Sequence, residues 1–250
     1  MDPLDELPPE SRRDVAAAVA AALGVSTEDA KDLVRAPSHA TCGGDLLPNA
    51  ALSLVDVRLS RGGATVLDGL SLTVPRGEVL AVRGPSGCGK TSLLALLSGF
   101  MVPSSGSISA FGVQISGLDE RQRSRYRRTV CGVIFQTDEL LPELTLLENV
   151  SLPLRLIGAP RRTSHYRGEI MGLLSELGVD ALADRFPHEV SGGQLQRASI
   201  ARALIHRPEL VLADGPTEDL DPAAAAAAVG ARISLARNRG STVVVVTHDA

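Results

Sequence analysis

The chain has 250 residues, 44% of them hydrophobic, enough to bury the core of one large domain or of one domain with a small insert. A formal net charge of −4 and a pI near 5.8 exclude a global electrostatic pull toward nucleic acid or anionic membrane. No stretch approaches the roughly 18 apolar residues that a membrane-spanning helix needs, and the three cysteines, Cys42, Cys88 and Cys131, have no zinc-like spacing, so a reduced, intracellular setting is expected.

Residues 1–50 differ in character from the rest. They predict two short helices, over 11–23 and 26–34, the second opened by Ser26 with Asp29 three residues on, followed by a loop holding Pro37, Gly43, Gly44 and Pro48. The apolar run at 15–23 is too short for a signal peptide and lacks a basic leader and a cleavage site. This segment reads as an N-terminal extension to which no chemistry is assigned: a docking arm, a regulatory appendage or a poorly ordered tail.

From Ala51 the pattern becomes regular. Strands are expected at 51–58, 66–74, 79–83, 107–111, 130–135, 209–213 and 242–246, and helices near 90–99, 120–127, 145–157, 165–177, 192–206 and 222–238. The early strands, joined by turns at Gly62-Gly63 and Pro75-Arg76-Gly77, predict an antiparallel layer. VLAV, LVLAD and VVVV are continuous apolar runs, as in strands buried on both faces of a parallel sheet. Pro208 stops the helix that begins after Ser191.

Between the strand VLAV and the helical run SLLALL stands GPSGCGKT, residues 84–91. The spacing Gly-x-x-x-x-Gly-Lys-Thr, framed by strand and helix, is a phosphate-binding loop. The loop Gly84, Pro85, Ser86, Gly87, Cys88 and Gly89 would turn the backbone N–H groups of its non-proline residues toward phosphate oxygens at the positive end of a new helix, with Ser92 close by. Lys90 would reach the β- and γ-phosphates, and Thr91 would offer its hydroxyl to Mg²⁺. Cys88 has two readings there, a thiol activated by the helix end or a small filler.

Four more elements follow in order. Gln136 leaves the strand CGVIF, where a side chain can project into a ligand crevice. SGGQ at 191–194 opens a helix and forms a second nest of backbone N–H groups. LVLAD ends in Asp214, placed to hold Mg²⁺ opposite the phosphate loop, and VVVV leads to Thr247-His248-Asp249, an imidazole at another strand tip.

Taken together, these motifs resemble the ATP-binding subunit of ABC transporters, over about Ala51 to Ala250. Ser191, Gly192, Gly193 and Gln194, with Leu195-Gln196-Arg197, look like the family signature. Gln136 matches the Q-loop, Asp221 the D-loop and His248 the switch histidine. LLPELTLLENV at 140–150 is similar to the lipoprotein-release, macrolide-export and cell-division branch. The resemblance implies a P-loop NTPase (RecA-like) α/β core with an antiparallel β layer and an inserted helical subdomain at about 137–190. It implies catalytic roles for Gln136 and His248, and Mg²⁺ held by Thr91, Gln136 and Asp214. It also implies a head-to-tail dimer, each ATP lying between one subunit's phosphate loop and the other's signature, beneath an integral membrane permease. The expected location is cytoplasmic, on the inner face of the cell membrane.

Three departures qualify the expectation. The family reads Asp-Glu-Pro-Thr after the magnesium strand, the Glu polarising the attacking water; here the run is Asp214-Gly215-Pro216-Thr217, and Glu218 lies beyond a Pro-containing turn. Losing a positioned base costs on the order of 10²–10⁴ in rate, so slow or absent hydrolysis is expected. Arg61 stands near the place where the family stacks an aromatic on adenine, which predicts weaker base selectivity. Ala250 follows His248 by two residues where the family continues, so the domain is expected to be C-terminally short. Asp221 also suits a helix N-cap before Pro222, compatible with the D-loop role. Arg121, Arg123, Arg125, Arg127 and Arg128 read as an exposed basic helix face, and no nucleic-acid partner is expected. The rival to an energy-coupling subunit is an ATP-gated dimerisation or regulatory module without turnover.

Overall fold

The computed structural model describes residues 34–35, 50–85, 87–135, 140–158, 166–214, 236 and 239–247. In chain order the elements are β1 (Val34–Arg35), β2 (Ala50–Arg61), β3 (Ala64–Pro75), β4 (Val79–Arg83), α1 (Lys90–Leu97), β5 (Ser105–Ala110), β6 (Val113–Gln114) and α2 (Glu120–Val130). They continue with β7 (Cys131–Ile134), α3 (Leu146–Leu156), α4 (Arg167–Glu176), α5 (Gly192–Leu204), β8 (Leu210–Asp214) and β9 (Thr242–Thr247).

One sheet has the order β1-β4-β9-β8-β7, in which β4, β9, β8 and β7 run parallel. The other, β3-β2-β5-β6, is antiparallel throughout. The continuous apolar runs resolve into two cores because successive strand residues face opposite ways. Leu80 and Val82, Leu210 and Leu212, and Val244 and Val246 join the antiparallel layer and α1 in one core. Val211, Ala213, Val243 and Val245 face α3, α4 and α5 in the other. The parallel sheet therefore stands between α1 and α5, the two helices that begin in glycine-rich motifs.

The helix ends follow local chemistry. Asp119 accepts from the Gln122 N–H while the Asp119 N–H donates to the Gln122 side chain, closing a capping box on α2. Thr145 and Glu148 do the same for α3. Buried Asn149 donates to the carbonyls of Leu141, Leu144 and Thr145 and accepts from the Leu141 N–H, tying down the loop that precedes α3.

The structure differs from expectation at the N-terminal segment. Val34, expected to end a helix over 26–34, is instead the first residue of β1, paired antiparallel with Val82 at the open edge of β4. The hydrogen-bonding groups on that edge of β4 account for the override of local helical propensity. Smaller shifts occur elsewhere. Helix α1 stops at Leu97 because the Ser98 hydroxyl turns back to Leu94 and Ala95 and Gly99 takes φ 69. Phe111 leaves its strand at φ 50, and α2 runs on to Val130. The expected helix over 222–238 lies outside the described residues except for Ala236.

Candidate functional site

The four parallel strands send their carboxyl ends to one edge, the position where open α/β sheets form ligand crevices. β4 ends there in Arg83 and passes into the loop at 84–89, and β8 ends in Asp214. The loop turns through a Cys88 N–H bond to the Pro85 carbonyl at 3.3 Å, with Gly87 at φ 81. Gly89, at φ 98, caps α1, which carries no acidic residue of its own in the first turn.

Lys90 is 3% exposed, yet it has no ion pair among the described residues. Its ammonium donates to the carbonyls of Gly84 at 2.6 Å and Pro85 at 2.8 Å and approaches the Cys88 sulfur at 3.8 Å. Two ammonium protons are thus well satisfied and the third meets only a thiol, a weak acceptor. A buried cation without a carboxylate is costly to keep, and the arrangement suits an anion delivered from outside. Cys88 is partly exposed, and Ser92, on α1, is half-buried.

Opposite the loop, the Thr91 hydroxyl donates to Asp214 Oδ2 at 3.0 Å. Asp214 is 8% exposed, and its second oxygen, Oδ1, is buried with no hydrogen-bond partner among the described residues. An orphaned carboxylate oxygen next to a hydroxyl is a hard oxygen donor set of the kind Mg²⁺ takes, so the residues present fit that ion. The described residues bring Lys90, Thr91 and Asp214 together.

Sequence reasoning missed Val66. A bulge between the pairs Leu59↔Leu67 and Ser60↔Thr65 leaves Val66 unpaired. A methyl on Gly89 would lie 3.1 Å from its Cγ1 and 3.2 Å from its carbonyl. The β2–β3 hairpin thus backs the loop, and exposed Arg61 sits at that hairpin's tip, paired with Ala64. Two-residue periodicity carries no signal for a bulge, which is why the contact was not foreseen.

The second glycine-rich motif lies apart. Ser191 precedes α5, its N–H donating to the Gln194 side chain at 2.9 Å. Ser191, Gly192 and Gly193 are exposed. Neither glycine has positive φ, and an added methyl would meet nothing within 4 Å at Gly192 and only the Arg197 tip, 3.9 Å away, at Gly193. Folding of this chain does not require glycine at either position. α5 packs on the face of the sheet opposite α1, and no hydrogen bond among the described residues joins this motif to the phosphate loop. Ser86, Gln136, Asp221, His248 and the run Gly215 to Glu218 lie outside the described residues.

The family model described as "ABC transporter" matches residues 67–218. The chain is 41% identical over 184 residues to the ABC transporter ATP-binding protein YtrE of Bacillus subtilis, covering 74% of this chain and 79% of that protein. It is 40% identical to the lipoprotein-releasing system ATP-binding protein LolD of Xanthomonas oryzae (74% and 75% covered). The bacitracin export ATP-binding protein BceA of Halalkalibacterium halodurans is likewise 40% identical (74% and 72%). Among solved structures, the dimeric ATP-binding cassette MJ0796 bound to ADP and Pi superimposes with a TM-score of 0.70 at 33% identity, covering 79% of this chain and 88% of that one. CbiO1 of Clostridium perfringens, part of the transporter complex CbiONQ, gives 0.71 at 26% identity (80% and 79%).

Proposed function

The chain belongs to the ABC transporter family as an ATP-binding subunit, and from that premise we propose that it couples MgATP binding, with slow or absent hydrolysis at its own site, to an integral membrane permease. The observation that carries the binding half is Lys90, buried at the mouth of α1 and lacking a carboxylate partner among the described residues. In this reading the N–H groups of the loop residues after Pro85 and the Lys90 ammonium hold the β- and γ-phosphates. Thr91 and Asp214 hold Mg²⁺, joined by Gln136. The ion, when bound, supplies charge neutralisation between the phosphate oxygens. Gln136 and His248 follow the ends of β7 and β9 in the chain and are assigned to the reacting end of the nucleotide.

Two copies complete the enclosure. The start of α5 is exposed and sterically open, which supports an arrangement in which Ser191, Gly192 and Gly193 cap the nucleotide of a second subunit. ATP then acts as an interfacial ligand that stabilises the closed pair. Residues 51–250 form the ATP-binding domain in this account, with the helical subdomain at about 137–190 and residues 1–50 as an extension. The permease places the subunit on the cytoplasmic membrane face.

The impaired half rests on Gly215. Glycine offers no carboxylate at the position where the family places its general base, and Glu218 is three residues further on, past Pro216. The purified wild-type chain is expected to turn over well below the roughly 10 per second of a median enzyme. Gly215→Glu is expected to raise that rate by about 10²–10⁴. Wild-type turnover at about 1 per second or faster, unchanged in Gly215→Glu, contradicts it. A second reading is also supported by Gly215: an ATP-gated dimerisation module without turnover. It is favoured if Gly215→Glu changes only ATP-dependent association and never the hydrolysis rate.

A further inference from the structure

Ser191, Gly192 and Gly193 are exposed, so the place of this motif is set by the residues that lead into it. Those residues hang on the N-terminus of α3. The first N–H groups of a helix have no partner within it. In α3 the Leu146 N–H donates to the Arg185 carbonyl and the Leu147 N–H to the Ala183 carbonyl, each at 2.9 Å. The Glu148 N–H, next in line, is taken by the Thr145 hydroxyl. Two backbone bonds thus fasten the segment that delivers Ser191. Between them and Ser191 the chain makes a single turn at Pro187–Glu189, closed by the Phe186 N–H donating to Glu189 Oε2 at 2.7 Å. Val190 and Leu195, on either side of the motif, pack against a small apolar cluster of Leu140, Leu146 and Ala198.

Asn149 holds the other side of this junction. It lies in the first turn of α3 and is 0% exposed. A primary amide is stable at that depth only when its bonding capacity is filled. Its Oδ1 accepts from the Leu141 N–H at 2.8 Å, and its two Nδ2 protons are shared among the carbonyls of Leu141, Leu144 and Thr145 at 3.0, 3.0 and 3.1 Å. The turn at 141–145 is thereby folded onto α3. Leu140 and Leu146, at its two ends, are the side chains on which Val190 and Leu195 rest. One buried amide therefore organises both the apolar seat and the helix end that together carry the run into Ser191.

We infer that Asn149 is a positioning residue for the nucleotide of the other subunit: through the turn at 141–145 and the α3 N-terminus it fixes where Ser191, Gly192 and Gly193 stand. It touches no nucleotide itself. This rests on the two-copy reading above and adds the side chain that pre-organises the capping motif. Hydrogen bonds weaken steeply with distance and angle, so a motif free to shift caps phosphate poorly. Because the motif serves the other copy, loosening it separates two properties that damage to the chain's own phosphate loop lowers together.

The test measures both properties on the same full-length preparations: MgATP binding by calorimetry at dilution, and MgATP-dependent self-association by sedimentation. Asn149→Ala is expected to bind MgATP within about twofold of wild type and to self-associate at least about tenfold more weakly. Thr145→Ala, a milder opening of the same junction, is expected to fall between the two and keeps the test open where Asn149→Ala does not fold. Asp119→Ala removes the same kind of cap from α2 and is expected to lower the melting temperature with association unchanged. Hydrogen exchange reads the junction directly: the Leu146 and Leu147 amides are expected to lose protection in Asn149→Ala. In a Ser191→Ala background, Asn149→Ala is expected to cost less association than it does alone, because both act through one contact. Wild-type association in folded variants of the junction overturns the inference. So does a loss that merely follows melting temperature across all three variants, or one fully additive with Ser191→Ala. A wild-type chain that binds MgATP and never self-associates removes the two-copy reading and this inference with it. Association in wild type and Asn149→Ala alike removes the inference alone.

Discussion

Lys90 and Asp214 are the two side chains whose burial the fold itself does not explain. Each is more than nine-tenths buried, and each keeps bonding capacity in reserve: one ammonium proton meets only the Cys88 sulfur, and Asp214 Oδ1 has no partner among the described residues while Oδ2 accepts from Thr91. Asp214→Asn keeps the shape and removes the charge. It is expected to weaken ATP binding about tenfold or more in the presence of magnesium and little in its absence, as measured by titration in each condition. His206 makes a prediction of another kind. Burial holds its imidazole below the ordinary value of 6.5, against a smaller opposing effect of its bond to the Cys131 carbonyl. Because the folded form binds its proton less readily than the unfolded chain, this group's contribution is full above about pH 6.5 and is lost as pH falls through the folded value. The decline in melting temperature between about pH 7 and pH 5 should therefore be shallower in His206→Gln, and an unchanged decline would rule out His206 as its source. Burial also raises the Cys131 thiol to about 12, so it stays protonated and packs as an apolar group.

At the scale of elements, the capping boxes of α2 and α3 set where those helices start. Thr145→Ala is expected to cost about 1 kcal/mol, read as a shift in denaturation midpoint at unchanged slope. Gly89→Ala should cost more, because φ 98 strains any side chain and the new methyl meets the Val66 carbonyl at 3.2 Å. Its loss of nucleotide binding is expected to accompany a measurable fall in melting temperature. Much of this was readable beforehand. Residues 79–83 were expected as a strand and are one, and the sharp apolar-to-glycine transition at Gly84 placed the loop at that strand's carboxyl end. The proximity of Thr91 and Asp214 follows from two parallel strands ending at one edge. What stayed hidden depends on tertiary pairing. Val34 and Arg35 join β4 because an open edge is present, and Val66 reaches Gly89 because of a bulge, neither of which leaves a local pattern. The arginine run on α2 was visible as well, but the approach of Arg128 to the Leu156 carbonyl of α3 was hidden for the same reason.

For the whole molecule, the parallel sheet stands between the two helices that begin in glycine-rich motifs, and in the proposed function a second copy supplies the motif of α5 to the phosphate loop. Solved relatives of the same fold include a dimeric cassette. An account in which nucleotide closes the pair while Gly215 slows its release predicts long-lived ATP-dependent association, shortened in Gly215→Glu as hydrolysis appears. Sedimentation with and without MgATP distinguishes this from association independent of nucleotide. The most direct test remains binding itself: isothermal titration of the folded chain with MgATP, beside Lys90→Met, a substitution that preserves most of the buried volume. The account predicts saturable heat from the wild-type chain and an affinity at least about a hundredfold lower in Lys90→Met, a difference of about 2.7 kcal/mol. No heat from well-folded wild-type protein, or equal affinities for the two chains, would contradict it.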